Sequence, residues 1–200
     1  PKFNQPAPGY HGLVYARDLG KDSAFGANLS YILKARVSLL RDTGAAISPT
    51  NAFNIGIGLE TLSLRIERHL ENATKVAHWL EANPQVEKVI WAGVESSPWY
   101  ERAQKYLPKG PGAVLGFTLK DATLEQTRDF VDALKLHSNV ANIGDVRSLV
   151  IHPASTTHSQ LSAEELEKIG VYPNFVRLAV GIENIDDILA DLQLGFDTLS

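Results

Sequence analysis

A segment near the C-terminus carries one arginine among apolar residues. Residues 175–180 read FVRLAV, and their period-two alternation puts Phe175, Arg177 and Ala179 on one face of a strand. A guanidinium stays charged, and burying it without a partner is costly, so we expect Arg177 to meet an anion. That anion is an Asp or Glu of the protein, which spacing alone favours, or a ligand carboxylate, which the planar guanidinium can hold through two hydrogen bonds.

A turn and a polar loop precede this strand. Asn142, followed by Gly144 and Asp145, is typical of a turn in which short polar side chains bond the nearby backbone, although a functional Asn142 would hold the second edge of the same carboxylate. The loop at 152–158 reads HPASTTH, but a catalytic triad cannot be inferred from adjacent residues. Its histidines are six residues apart and lack the i, i+4 spacing of helical metal ligands. We expect no metal site, and predict that the loop packs or lines a cleft.

Three segments lead up to these residues. Residues 1–27 are rich in Gly, Pro and aromatic side chains and predict an ordered loop, and residues 28–44 follow helical spacing from Asn28 to Gly44. From residue 51 to residue 83 apolar residues recur every three or four positions, which predicts one long helix of about 45 Å that connects two bodies. His69 and His78 fall among polar positions of this helix, and we expect both to be solvated.

Short strands alternate with helices after residue 84. Apolar runs predict strands at 86–91, 113–119, 148–151 and 175–180. Two capping boxes, Thr123 with Gln126 and Ser162 with Glu165, predict helix starts, and Asn184 is expected to cap the last helix. This part of the chain is therefore predicted to be an α/β sandwich of one sheet and helices.

Composition excludes several classes of protein. The 200 residues carry a formal net charge of −4 with Lys and Arg scattered singly, so nucleic acid is not expected as a partner. No apolar run is long enough to span a bilayer, and no membrane is expected as a partner. The absence of cysteine fits a reducing compartment, and we expect the protein to be cytoplasmic.

Two long segments resemble a known enzyme family. NIGDVRSLVIHPASTTHSQL, with GVYPNFVRLAVGIENIDDILADL after it, resembles the C-terminal signature of the Cys/Met-metabolism family of pyridoxal-phosphate (PLP) enzymes, and SPTNAFNIGIGLETLSLRIERHLENA resembles the linking helix of that family. The resemblance implies an aspartate-aminotransferase type (fold type I) architecture. Residues 1–50 would then be the tail of the large PLP domain, 51–83 the linking helix, and 84–200 a small α/β domain with a mostly antiparallel sheet.

The opening PAPGYHGLVY and the RDTGAAISP that follows resemble the O-acetylhomoserine sulfhydrylases within this family. Those enzymes eliminate acetate from O-acetylhomoserine and add sulfide to give homocysteine, in methionine biosynthesis. The resemblance implies that Arg177 binds the substrate α-carboxylate, that Asn142 assists it, and that Thr156 lies near the substrate entrance. Two alternatives stay open: a cystathionine γ-synthase or lyase, and a non-catalytic module that retains the small-domain fold.

The lysine to which this family attaches PLP is not found in this sequence. Its S-x-T-K motif is absent, and the only Thr-Lys pair, Thr74-Lys75, falls within the predicted long helix. We therefore expect no catalytic and no cofactor-binding residue in this chain, which would correspond to the part after the lysine and be inactive alone. The expected partners are the N-terminal part of the same enzyme, which would hold most of the PLP, an amino-acid substrate, and further copies in a homotetramer built from dimers.

Overall fold

A mixed sheet of five strands organises the larger of the two units into which the chain divides, Pro1–Ile57 and Gly58–Ser200. The computed structural model describes residues 2–199. The strands are β1 (Val86–Ile90), β2 (Val114–Leu119), β3 (Ser138–Asn139), β4 (Leu149–Ile151) and β5 (Phe175–Ala179), in the order β1-β2-β5-β4-β3. The pairs β1/β2, β2/β5 and β5/β4 are antiparallel, and β3 pairs with β4 in parallel. The predicted α/β class with a mostly antiparallel sheet is confirmed. The two-residue strand β3 was not predicted.

Three helices cover one face of the sheet: α5 (Leu62–Glu81), α7 (Leu124–Ala133) and α9 (Ile185–Asp197). Between them and the sheet lies a core whose centre is three buried rings, with centroids 5.8 Å apart for Phe117 and Phe130 and 4.9 Å apart for Phe130 and Phe196. Burying side chains of this size contributes about 2–3 kcal/mol each, so this layer holds the unit together. The strand that carries Arg177 is thus fixed from the opposite face of the sheet.

Capping side chains begin the helices of this unit as predicted. Thr123 and Gln126 exchange hydrogen bonds at the start of α7, and Ser162 and Glu165 do so at the start of α8 (Ala163–Lys168). The Asn184 Oδ1 accepts a hydrogen bond from the Asp186 N–H at the start of α9. A further short helix, α6 (Tyr100–Tyr106), lies in the connection between β1 and β2.

The predicted long helix is two helices, α4 (Pro49–Glu60) and α5, separated at Thr61. The Arg65 Nη2 donates a hydrogen bond of 2.6 Å to the Gly58 carbonyl, which replaces a backbone partner at the break. Gly56 and Gly58 make the preceding turns weakly helical, so the interruption falls where the backbone is least constrained. None of the residues of α4 is buried. None of the described helices is long and apolar enough to cross a membrane.

The smaller unit consists of a loop and a helical segment. The predicted loop contains two short helical elements that were not predicted, a 3-10 helix (Pro8–Tyr10) and α1 (Tyr15–Asp18), and the fully buried ring of Tyr15. The predicted helix runs from Ser30 to Thr43 as α2 (Ser30–Lys34), a π-helical stretch (Ala35–Leu40) and α3 (Arg41–Thr43). Gly44 ends it in the left-handed region at φ +62°, which is the usual role of glycine at a helix C-terminus.

Candidate functional site

Arg177 lies in the middle of β5, paired with Gly116 of β2 on one side and Ile151 of β4 on the other. The predicted alternation is confirmed, since Val176, Leu178 and Val180 are fully buried on the helix-covered face. Arg177 itself, on the other face, is partly buried.

The Arg177 guanidinium contacts the turn that the sequence singled out. Its Nη2 donates a hydrogen bond of 3.3 Å to the backbone carbonyl of Asn142. Within residues 2–199 it forms no salt bridge with an Asp or Glu. The described residues therefore do not contain the salt bridge to Arg177 that spacing alone favoured. The charge is left available for an anion from outside the described chain.

Asn142 meets Arg177 through its backbone, while its side chain serves the turn. The Oδ1 of Asn142 accepts a hydrogen bond of 2.9 Å from the Ile143 N–H, and the Asp145 Oδ1 accepts one of 3.0 Å from the Arg147 N–H. Gly144 adopts φ +78°, a left-handed conformation that glycine reaches without strain. The turn chemistry predicted from the sequence is present, and it aims the carbonyl of residue 142 at the guanidinium.

A cavity of about 270 Å³ lies beside this turn. Ile143 and Gly144 form one side of it, and its other lining residues are mostly apolar: Ile66, His69, Pro111, Gly112, Ala113, Val114, Ala179 and Val180. A smaller hollow, lined by Asn142, Ile151 and Arg177 among others, shares Ala179 with it. A cation next to an apolar cavity suits a small molecule with a carboxylate at one end and a short carbon chain.

A family model matches most of this chain. The model described as "Cys/Met metabolism PLP-dependent enzyme" matches residues 17–197. The chain belongs to this family. The predicted resemblance is thereby confirmed, and so is the dependence of the family on PLP.

Two named relatives and one solved structure are similar to this chain. The O-acetyl-L-homoserine sulfhydrylase of Corynebacterium glutamicum is 55% identical over 98% of this chain, and the homocysteine/cysteine synthase of Saccharomyces cerevisiae is 47% identical over 100% of it. A solved structure of a putative O-acetylhomoserine (thiol)-lyase from Campylobacter jejuni, which contains N'-pyridoxyl-lysine-5'-monophosphate, has 40% identity and a TM-score of 0.80 over 98% of this chain. This chain spans only 43%, 45% and 44% of those three proteins.

The side chains of Thr74 and Lys75 both bind other residues of α5. The Lys75 Nζ lies 2.6 Å from the Glu71 Oε1, and the Thr74 Oγ1 donates a hydrogen bond of 2.8 Å to the Leu70 carbonyl. Among the described residues no lysine lines the cavity beside Asn142 or the hollow beside Arg177. The same part of the chain contains no group of three or more His, Asp and Glu residues that could hold a metal ion.

Thr156 is exposed, and its contacts are local to its own loop. Its Oγ1 donates a hydrogen bond of 2.8 Å to the His152 carbonyl. No hydrogen bond in the described structure joins Thr156 to Arg177 or Asn142. The structure thus brings two of the three predicted site residues together and leaves Thr156 apart.

His152 fixes this loop from inside. Its Nε2 donates a hydrogen bond of 2.8 Å to the Pro173 carbonyl, and its Nδ1 accepts one of 2.9 Å from Ser155. Because a carbonyl only accepts, the proton sits on Nε2. Burial lowers the pKa of His152 below its ordinary value of 6.5, the hydrogen bond to Pro173 opposes that shift, and the charge of Arg128 adds to it. The ring is therefore held neutral as a packing element of the loop.

The lowered pKa of His152 predicts a pH-dependent stability. Below pH 6.5 His152 takes up a proton more readily in the unfolded chain than in the folded one. The contribution of His152 to the free energy of unfolding is therefore complete above pH 6.5 and decreases as the pH falls below that value. We expect His152→Gln to flatten this slope in denaturant titrations between about pH 5 and pH 7.5. His78→Gln, at a histidine whose side chain is 61% exposed, is the matched control and is expected to keep the slope of the wild type. An unchanged slope in His152→Gln would contradict this assignment.

Sequence reasoning missed a second set of polar residues behind the site. His69, predicted to be solvated, is 2% exposed, and Asn72 on the same face of α5 is fully buried. His69 was misjudged because its neighbours in sequence are charged, whereas the helical spacing from Ile66 to Ala73 places it on the apolar stripe. His78 is exposed, as predicted.

Gly116 was also not recognised as part of the site. A Cβ at this position would overlap the ring of Phe175, which packs over Gly116 on the same face as Arg177. Glycine inside a strand is itself a signal for such a close approach.

Proposed function

We propose that this chain is the substrate-binding part of a PLP-dependent O-acetylhomoserine sulfhydrylase, in which Arg177 holds the α-carboxylate of O-acetylhomoserine. The observation that carries the proposal is the guanidinium of Arg177, placed on a central strand without a carboxylate partner in the described chain and bonded to the Asn142 carbonyl. The names of the most similar relatives supply the substrate class. The reaction would release acetate from the substrate and add sulfide to form homocysteine.

The residues of this chain bind and orient, and they do not break bonds. When PLP is bound, the cofactor supplies the electron sink for chemistry at the amino-acid carbons. Arg177 would hold the carboxylate through its two-pronged fork, with the orientation of the fork set by the Asn142 carbonyl. The substrate carbon chain would lie towards the apolar cavity beside Ile143 and Ala179, where water is partly excluded. Fixing one end of the substrate on a sheet strand keeps the reacting carbons in one place.

We infer that the rest of the enzyme covers the apolar surface of this chain. Phe53 of α4 is 67% exposed and Leu59 is 60% exposed, and an isolated helix with apolar residues on all sides is not stable in water. Relatives more than twice as long have sequence to cover it. We propose the division given by the sequence, with residues 1–50 as the tail of the large PLP domain, 51–83 as the linking segment and 84–200 as the small domain.

The same proposal includes a cytoplasmic homotetramer built from dimers. Light scattering of the full-length enzyme tests the assembly, and a mass other than that of four chains would contradict it.

Cofactor attachment tests the division of labour. We expect the 200-residue chain mixed with PLP and reduced with borohydride to carry no stoichiometric pyridoxyl label, because no lysine lines the cavity beside Asn142 or the hollow beside Arg177 in the described structure. The full-length enzyme is expected to be labelled at one lysine outside these 200 residues, as read by peptide mass spectrometry. Full labelling of the short chain at one lysine, lost in a single Lys→Ala variant, would overturn this part of the proposal. Lys75→Ala is the control for incidental labelling of an exposed lysine.

Steady-state assays test the chemistry. The full-length enzyme supplied with O-acetylhomoserine is expected to form homocysteine from sulfide faster than it forms cystathionine from cysteine. The opposite preference would favour the cystathionine synthase or lyase reading, and no turnover with either nucleophile would favour a non-catalytic module.

A further inference from the structure

The segment that follows β5, residues 180–184, holds both halves of the candidate carboxylate site. The Ile182 N–H donates a hydrogen bond of 2.9 Å to the Val146 carbonyl, and the Gly181 N–H donates one of 2.9 Å to the Ser148 Oγ. The Glu183 Oε1 accepts a hydrogen bond of 2.7 Å from the Ser148 N–H, and its Oε2 accepts one of 3.0 Å from the Ser148 hydroxyl. The strand of Arg177 and the loop of Asn142 are therefore tied together at this segment.

Two side chains of α5 hold the same segment from the other side. The His69 Nδ1 donates a hydrogen bond of 2.6 Å to the Val180 carbonyl. The Asn72 Nδ2 donates two, of 3.0 Å to the Gly181 carbonyl and 2.9 Å to the Glu183 carbonyl. The two residues are three positions apart and so lie on one face of the helix. Three backbone carbonyls just beyond Arg177 thus depend on them.

The hydrogen bonds to Val180 and Gly181 are buried, and the one to Glu183 is partly buried. His69 is 2% exposed and Asn72 is fully buried, so losing these donors leaves the Val180 and Gly181 carbonyls without those partners in the core, whereas the Glu183 carbonyl also accepts a hydrogen bond of 3.4 Å from the Arg68 Nη2. Gly181 leaves no room for adjustment, because a Cβ there would overlap Glu183 and the backbone of residues 147 and 148. A change in the position of this segment would consequently shift both β5 and the turn at Asn142.

We propose that His69 and Asn72 are positioning residues that set the placement of Arg177 against the Asn142 carbonyl. They act through the 180–184 segment and do not touch the substrate. The inference rests on the proposed role of Arg177 in binding the substrate carboxylate. It adds that affinity for the amino-acid substrate depends on a pair of side chains on the linking helix α5.

Kinetics of the full-length enzyme test this proposal. His69→Phe removes the donor while keeping a ring, and we expect it to raise the KM for O-acetylhomoserine about tenfold while the KM for sulfide changes less than about twofold. Asn72→Leu is expected to act in the same direction. His69→Asn, whose amide can reach the position of Nδ1, is expected to restore most of the affinity. A residue that only stabilised the fold would lower the amount of active enzyme and leave both KM values unchanged.

A control removes the side-chain hydrogen bond of a buried residue elsewhere in the core. Thr127 on α7 is fully buried, and its Oγ1 donates a hydrogen bond of 2.8 Å to the Thr123 carbonyl, which also accepts one of 3.0 Å from the Thr127 N–H. We expect Thr127→Val to lower the melting temperature without raising the KM for O-acetylhomoserine. A tenfold rise in this control would show that general loosening of the unit, and not the clamp on residues 180–184, controls affinity.

Hydrogen exchange gives a readout that does not need activity. In His69→Phe we expect faster exchange both at residues 180–183 and at residues 146–148, since the two are joined by the Ile182 and Ser148 hydrogen bonds. Faster exchange at residues 180–183 alone, or unchanged KM values in an active enzyme, would overturn the coupling. If the wild type has no sulfhydrylase activity, the proposed function fails, and the exchange pattern decides the coupling by itself.

Discussion

Replacing Arg177 by alanine in the full-length enzyme is expected to lower kcat/KM for O-acetylhomoserine by about 10²–10⁴-fold, mainly through KM. Removing one partner of a hydrogen-bonded ion pair costs about 3–5 kcal/mol. Each 1.4 kcal/mol is about a tenfold change in an equilibrium or rate constant. The variant is expected to fold, because Arg177 is only partly buried and the hydrogen bond of its side chain to the Asn142 carbonyl is long at 3.3 Å.

Two variants separate the charge of Arg177 from its shape. Arg177→Lys keeps the positive charge and loses the planar guanidinium. Its kcat/KM for O-acetylhomoserine is therefore expected to lie between that of the wild type and that of the alanine variant. Arg147→Ala removes an exposed arginine beside the same turn and is expected to leave KM unchanged. Wild-type kinetics in Arg177→Ala would remove the carboxylate assignment altogether, and an equal loss in Arg147→Ala would point to a general electrostatic effect.

The strands and helix starts could be predicted because their signals are local. Alternation in residues 175–180 depends only on the pleat of one strand, and the two capping boxes close within four residues. The interruption at Thr61 could not be predicted, because a Gly-containing helix and two helices joined by a short break have the same apolar spacing. What decides between them is the hydrogen bond from the Arg65 side chain to the Gly58 carbonyl, which only three-dimensional structure reveals.

The site divides in the same way. Resemblance to a family predicted Arg177 and Asn142, and the structure places them in contact. The resemblance did not predict that the contact is made by the backbone carbonyl of Asn142. The helical spacing could have placed His69 on the apolar stripe, but the hydrogen-bond partner of its buried ring could not be predicted. Its partner, the Val180 carbonyl, is 111 positions away in sequence. Side chains whose hydrogen-bond partner is a backbone group far away in the sequence are therefore the ones that are hardest to predict from the sequence.

Asp191→Ala is expected to be strongly destabilising, at about 3–5 kcal/mol. The carboxylate accepts hydrogen bonds from three successive backbone N–H groups, those of Lys135, Leu136 and His137, at 2.7, 2.9 and 3.0 Å. It also accepts one of 2.7 Å from the His137 Nδ1, and the residue is 5% exposed. Removing it leaves four donors without this partner, of which the two from His137 are buried and those of Lys135 and Leu136 are partly buried. At about 2–4 °C per kcal/mol for a domain of this size, the melting temperature of the full-length enzyme is expected to fall by roughly 10 °C.

The charge of Asp191 gives this prediction a pH signature. Burial alone would raise the pKa of Asp191, but the hydrogen bonds from the His137 side chain and the three backbone amides outweigh it and hold the pKa well below its ordinary value of 3.8. Because its pKa is lowered in the folded state, ionised Asp191 contributes its whole stabilisation above pH 3.8. This stabilisation is lost as the pH falls below that value. The difference in melting temperature between wild type and Asp191→Ala is therefore expected to shrink on acidification below that value.

Two comparisons distinguish the ionised carboxylate from its shape. Asp191→Asn keeps the size but turns an amide towards the His137 N–H, so it is expected to lose about 2–3 kcal/mol and to show no loss of stability from protonation of this side chain. Asp187→Asn, at an exposed position in the first turn of α9, is the matched control and is expected to cost only a few tenths of a kcal/mol. If the Asn variant matched the wild type at neutral pH, the side chain at 191 would act by filling space. If it fell with the alanine variant, the negative charge would be what binds the 135–137 turn to α9.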